Sequence, residues 1–141
     1  MAVQTSQNEI QTAFYARLVP SGVIDSVLSA SGVVGVFDFR NVPQNQPFDY
    51  ITLGEGFELP NNTLGRRGYT YYPTIGIWSR SKGTDIPTAI VARINTLVDQ
   101  KILTLSTHEH VSTLYQRATW LADPDGLTLH VALQYQLYTE E

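Results

Sequence analysis

Three histidines are the residues of this chain whose types and spacing come nearest to chemistry. His108 and His110 flank Glu109. Alternate residues of a strand share one face, so both imidazoles could turn toward a metal ion with His130 as a third ligand. No fourth ligand is recognisable, and a polar strand entrance after a loop is the plainer account. Asp123-Pro124-Asp125-Gly126 opens like a calcium loop but lacks the downstream oxygen ligands and the bidentate Glu. All four are ordinary turn formers, so a hairpin turn explains them. Gly54-Glu55-Gly56 and Gly65-Arg66-Arg67-Gly68 lack the strand, glycine loop and helix order that cradles phosphate. Ser79 and Ser81 flank Arg80 without a nucleophile elbow around either. Acidic residues sit mostly at turns and ends, so no carboxylate pair can be assigned to acid–base work. The expectation is a protein that is not an enzyme and needs no cofactor and no metal.

Tyrosine, tryptophan and arginine are the usual anchors of protein–protein contact. Tyr69, Tyr71 and Tyr72 follow directly on Arg66 and Arg67, and Trp78 precedes Arg80. Alternating aromatics also fill cores, and Tyr71 and Trp78 fit that role equally well. Arg66 and Arg67 do not: at the end of a long loop they are either plain solvated charge or contact residues. Leu59 and Leu64 are apolar in an otherwise polar stretch, so burying them needs some other surface. The candidate interface residues are therefore Leu59, Leu64, Arg66, Arg67, Tyr69 and Arg80.

The composition points the same way. Charged residues are 16% of the 141-residue chain, against roughly 25% in an average soluble protein. Such a surface is neutral, polar and apolar, and is often covered by a partner. The net charge of −4 argues against a dedicated nucleic-acid binder. Residues 66–101 hold six basic and two acidic side chains, so the rest of the chain carries −8. That division suits head-to-tail contact between copies or with another protein. With Cys 0 there is no disulfide and no thiolate metal site. The first residues are polar, and no apolar run approaches the ~18 residues of a membrane span, so folding in a cytoplasm without a membrane partner is expected.

The elements that must position these residues follow from periodicity. Ile10, Ala13, Phe14 and Leu18 predict a helix over 7–19, with Ser6 or Asn8 at its start and Pro20 and Gly22 at its end. A short second helix is expected at 23–28. Strands are expected at 36–40, 48–57 and 69–78, the last with Pro73 at an edge position or a bulge. Residues 58–68 read as a flexible arm, since loops of about this length without secondary structure are usually functional or disordered. Ile86, Ile90, Ile94, Leu97 and Val98 predict a helix over 86–101, with Pro87 tolerated in its first turn. A final hairpin joins 111–122 to 128–138 across the Asp-Pro-Asp-Gly turn. The order is α-α-β-β-β-α-β-β: a single α+β domain over 1–141, with helices on one face of a largely antiparallel sheet.

Three stretches resemble the tail completion (tail terminator-like) proteins of long-tailed bacteriophages. They are Pro47-Phe48-Asp49-Tyr50-Ile51-Thr52-Leu53-Gly54-Glu55, then Ile77-Trp78-Ser79-Arg80-Ser81-Lys82-Gly83 leading into the amphipathic helix. The third is Asp123-Pro124-Asp125-Gly126-Leu127-Thr128-Leu129-His130 at the final strand. Their order and spacing carry the likeness, which leaves out residues 1–10 and 58–68. The resemblance implies a structural virion protein, made in the host cytoplasm, that forms a ring, usually a hexamer, at the head-proximal end of the tail. It implies that the ring ends tube polymerisation and joins the tail to the head connector. The partners would be further copies of the chain, the tail tube protein and the head connector protein, with DNA only passing through the lumen. It implies no catalysis and no cofactor. The alternative is a small soluble binding module or metal-dependent enzyme with a site near the three histidines.

Overall fold

The computed structural model describes residues 7–62, 65, 67–80, 83–103, 105, 109–122, 124 and 126–140, without the side chains of 109–111. Ile10, Phe14 and Leu18 form the buried stripe of α1, Gln7–Leu18. A 3-10 turn at Pro20–Gly22 ends it. Asp25 then caps α2, Ser26–Ala30, its carboxylate accepting from the amides of Val27 and Leu28 at 3.1 and 3.3 Å. The cap sits within the stretch expected to be helical, so α2 begins later than its apolar residues suggest. In α3, Asp85–Val98, the buried side chains are Pro87, Ile90, Ile94 and Val98. Ile86, expected on that face, is 40% exposed.

Five strands make one sheet in the order β1-β2-β3-β5-β4. They are β1, Val36–Asp38; β2, Tyr50–Pro60; β3, Gly68–Ser79; β4, Glu109–Ala122; and β5, Leu129–Glu140. β1 runs parallel to β2 and every other pair is antiparallel. Apart from the 3-10 turn, the element order is the one expected, and the fold is α+β. The three helices cover one side only. There, Ile51, Ile75, Ile77, Val131, Leu133 and Leu137 meet Ile10, Phe14, Leu28, Ile90, Ile94 and Val98 in the core.

Polar ties fix the helices to this side. Arg93 in α3 forks onto both carboxylate oxygens of Asp25 at 2.8 Å, a geometry that the planar guanidinium favours. Its hydrogen bonds, helped by the two capping amides, hold the Asp25 carboxyl below its ordinary pKa against the opposing pull of burial. Arg17 of α1 donates to the Leu97 carbonyl at 2.9 Å. The buried Tyr135 hydroxyl donates to Asn95 of α3, and burial pushes its pKa up.

Two expectations are corrected by the backbone. Part of the supposed arm at 58–68 is the end of a hairpin: β2 runs on through Pro60 and β3 begins at Gly68. Its Phe57–Tyr72 and Leu59–Thr70 pairs extend the ladder. Pro60 and the glycines hid this, because they weaken strand propensity without removing cross-strand pairing. Pro73 is not at an edge but in β3, between β2 and β5. It pairs with Gly56, and the ladder to β5 lapses at Tyr72 and Pro73. The bulge lies next to it, in β2 between Thr52 and Glu55.

Candidate protein interface

Residues alternate in a strand, so the side chains between the core residues form a second face, turned away from the helices. Across it run Tyr50, Trp78, His130 and Leu121 as one row, and Phe57, Tyr72, Gln136 and Leu114 as another, in which the Gln136 side-chain amide donates to the Tyr72 hydroxyl at 3.2 Å. Phe57, Leu59, Leu114 and Leu121 are 44 to 50% exposed. The aromatic rings here are ordered. Trp78 stacks on His130 with centroids 3.8 Å apart, and lies near-parallel to Tyr50 at 6.3 Å. Phe48 and Phe37 pack on Tyr50 at 5.0 and 6.0 Å, and Phe57 stacks on Tyr72 at 4.7 Å.

The sequence builds this array locally. Gly76 lies beneath the indole, and a Cβ there would come within 2.5 Å of Thr52 Oγ1 and 3.1 Å of His130 Nε2. The missing side chain lets the Trp78 indole N–H donate to Thr52 Oγ1 at 3.2 Å. At the bulge, Gly54 has φ +112 and would drive a Cβ to 2.9 Å from the Phe39 ring. Glycine therefore lets Phe39 lie on β2. The result is an open cleft of about 350 Å³ lined by Phe39, Val42, Tyr50, Thr52, Glu55 and Trp78. Among the described residues, no cation is paired with the Glu55 carboxylate.

The six residues picked from the sequence do not gather at one place. Leu59 is half-exposed beside the hairpin connection, and Arg67 is exposed in it. Leu64 and Arg66 lie outside the described residues. Tyr69 is only 8% exposed, because alternation puts it on the side of Tyr71. Arg80 is at the opposite end of β3, about 35 Å from Tyr69 at ~3.3 Å per residue. Its Nε donates to Thr128 Oγ1 at 3.0 Å, and its guanidinium lies 4.3 Å over the Phe48 ring. Its backbone N–H donates to buried Asp49, which also accepts from Ser79 Oγ. Arg80 thus clamps its own subunit. The cleft was missed; its one legible signal was the Gly-Glu-Gly run, which reads as a bulge once two strands are recognised around it.

His108 lies outside the described residues, as does the side chain of His110, and His130 is engaged in stacking. Among the described residues no cluster of three or more His, Asp or Glu is placed to hold a metal ion. No helix is long and apolar enough to cross a membrane.

What these elements define is an α+β protein with a two-layer core and one aromatic-rich sheet face that the helices do not cover. The chain belongs to the family described as Tail completion protein gp17, whose profile matches residues 12–140. It is accordingly a structural tail protein of the bacteriophage type, and its place is the virion. The fold is similar to that of a chain from the virion of a native gene transfer agent particle, with a TM-score of 0.86 and 20% identity. That match covers 99% of this chain and 100% of the other. A second solved structure matches at TM-score 0.53 and 15% identity, over 97% of this chain and 96% of its own. No curated protein matches the sequence significantly.

Proposed function

We propose that the protein is a ring-forming subunit, with six copies to the ring, at the head-proximal end of a phage-type tail. The ring ends tube polymerisation and offers the head connector protein its docking surface, while DNA passes through the lumen. The observation that carries this reading is the family match over residues 12–140. The uncovered sheet face and the net charge of −4 support it, since the first leaves area for neighbours and the second disfavours tight phosphate binding. Leu59, Leu64, Arg66 and Arg67 are the contact residues of the hairpin end; Tyr69 and Arg80 serve by shaping the subunit.

Growing tail tubes supplied with the protein test this by electron microscopy. The expected result is a ring at one tube end, tubes of arrested length, and joining when connector-bearing heads are added. Tubes that lengthen unchecked, with no added density at either end, overturn it.

A further inference from the structure

The cleft beside the β2 bulge is built like a receptor for a cation. Tyr50, Trp78 and Phe39 line it; the indole faces are taken up by His130 and Tyr50, so the ring offered to a guanidinium is that of Phe39, 44% exposed. Glu55 adds a carboxylate that no cation answers among the described residues. The walls are fixed before anything docks. The indole is held by Thr52 Oγ1 at 3.2 Å and by the His130 ring at 3.8 Å, while Gly54 and Gly76 keep the floor clear of Cβ atoms.

We infer that this cleft receives the Arg67 guanidinium of a second copy of the chain. Arg67 is exposed in the connection after Pro60, where Asn61 N–H closes onto the Gly68 carbonyl at 2.7 Å. It meets no carboxylate among the described residues. It cannot reach the cleft of its own chain. From Glu55 to Pro60 the strand alone advances about 17 Å at ~3.4 Å per residue, and Arg67 lies beyond. Charge agrees with this pairing. The donor belongs to the basic segment 66–101, and the receiving carboxylate to the part of the chain that carries −8. Other exposed cations fit less well. Arg117 stands on the flat of β4 and cannot enter a concavity without a collision of sheets. Lys101 offers a strongly hydrated point charge, which stacks poorly on rings. Arg40 sits beside the cleft itself.

The contact is directional, hairpin end into cleft, and each copy offers one of each. Contacts of this kind propagate around a ring if the rotation closes. This deepens the ring proposal and rests on it.

Two single variants test it, Glu55→Arg and Arg67→Glu. Each places like charges at the contact, and each alone should weaken copy–copy association at least tenfold in sedimentation experiments run up to high concentration and with tail tubes present. Mixed in equal amounts, they restore one reversed pair and one native pair, and association should recover to within about threefold of the unaltered chain. Circular dichroism and thermal melting of each variant should match the unaltered protein. If either fails to fold, Glu55→Gln and Arg67→Gln take their place, with the expected tenfold loss from each. Association that the variants leave unchanged, or a mixture that stays apart, overturns the cleft assignment and leaves the ring standing. In the first case, a basic side chain from a different protein becomes the occupant to seek. An unaltered chain that never associates, alone or on tubes, overturns the ring and the cleft together.

Discussion

The two faces of the sheet are made by the same strands, yet they are furnished differently. On the helix side, Ile51, Ile75, Ile77, Val131 and Leu133 are 0% exposed. One residue along, the other side carries Thr52, Gly76, Trp78, His130 and Ala132, with Phe57, Leu114 and Leu121 at the margins. The first set is aliphatic and shape-matched. The second is aromatic and glycine-bearing. Aliphatic packing maximises burial within a chain, whereas stacked rings leave flat, polarisable surface for another molecule. The division teaches that what packs this chain and what it leaves uncovered are written on alternate residues, so the two can be altered separately.

The largest effect should come from the helix side. Leu133→Ala empties a fully buried position of β5 and should cost about 3 kcal/mol of unfolding free energy, measured by urea denaturation. Once folded, the variant should associate normally. Loss of association in folded Leu133→Ala would break the division between faces.

A smaller loss is expected from Gly76→Val on the other side. Its Cβ would meet Thr52 Oγ1 at 2.5 Å, and such overpacking costs about 1–3 kcal/mol. The indole must also leave its partner, so fluorescence should report a changed Trp78 environment. An unchanged spectrum and melting temperature would show that this face is loosely packed after all.

Asp25→Ala removes a helix cap and both hydrogen bonds from Arg93, and should cost about 1–2 kcal/mol. It also bears on pH. The folded pKa of Asp25 lies below its ordinary value of 3.8, so its contribution is complete above that value and disappears as pH falls through the folded pKa. The unaltered protein should therefore lose stability below about pH 4 more steeply than the variant, as thermal melts at stepped pH would show. Parallel acid profiles would remove Asp25 as a cause.

The smallest change in stability belongs to Leu114→Ser and Leu121→Ser, each within about 0.5 kcal/mol by thermal melting. Both should nonetheless reduce assembly onto tail tubes. Normal assembly of the double variant would confine the contact surface to the other end of this face.

Most of the scaffold was legible from periodicity. α1 and α3 announced themselves through Ile10, Phe14, Leu18 and Ile90, Ile94, Val98, and β5 through strict alternation from Leu129 to Leu137. What stayed hidden has a physical reason in each case. Pro60, Gly65 and Gly68 depress local propensity, so the ends of β2 and β3 read as loop although cross-strand pairs hold them. Pro73 tolerates an interior position because the ladder to β5 lapses beside it, which is a property of two strands together. The cleft was less legible still. It joins Phe39 after β1 to Trp78 in β3 over an absent side chain at Gly76, and a single row of letters gives no sign that those positions meet.

The order β1-β2-β3-β5-β4 also bears on how the molecule comes into being. β3 lies between β2, which precedes it across one hairpin, and β5, which comes after α3 and β4. Until residues 129–140 exist, one whole rim of β3 is a ladder without a mate, and Val131, Leu133, Tyr135 and Leu137 are missing from the core. Pairings so distant along the chain, such as Ile75 with Leu133, close late and fold slowly. During synthesis the growing chain therefore passes through a stage with an open, β-prone rim. Deleting the last strand should prolong that stage indefinitely and yield aggregate rather than a smaller subunit.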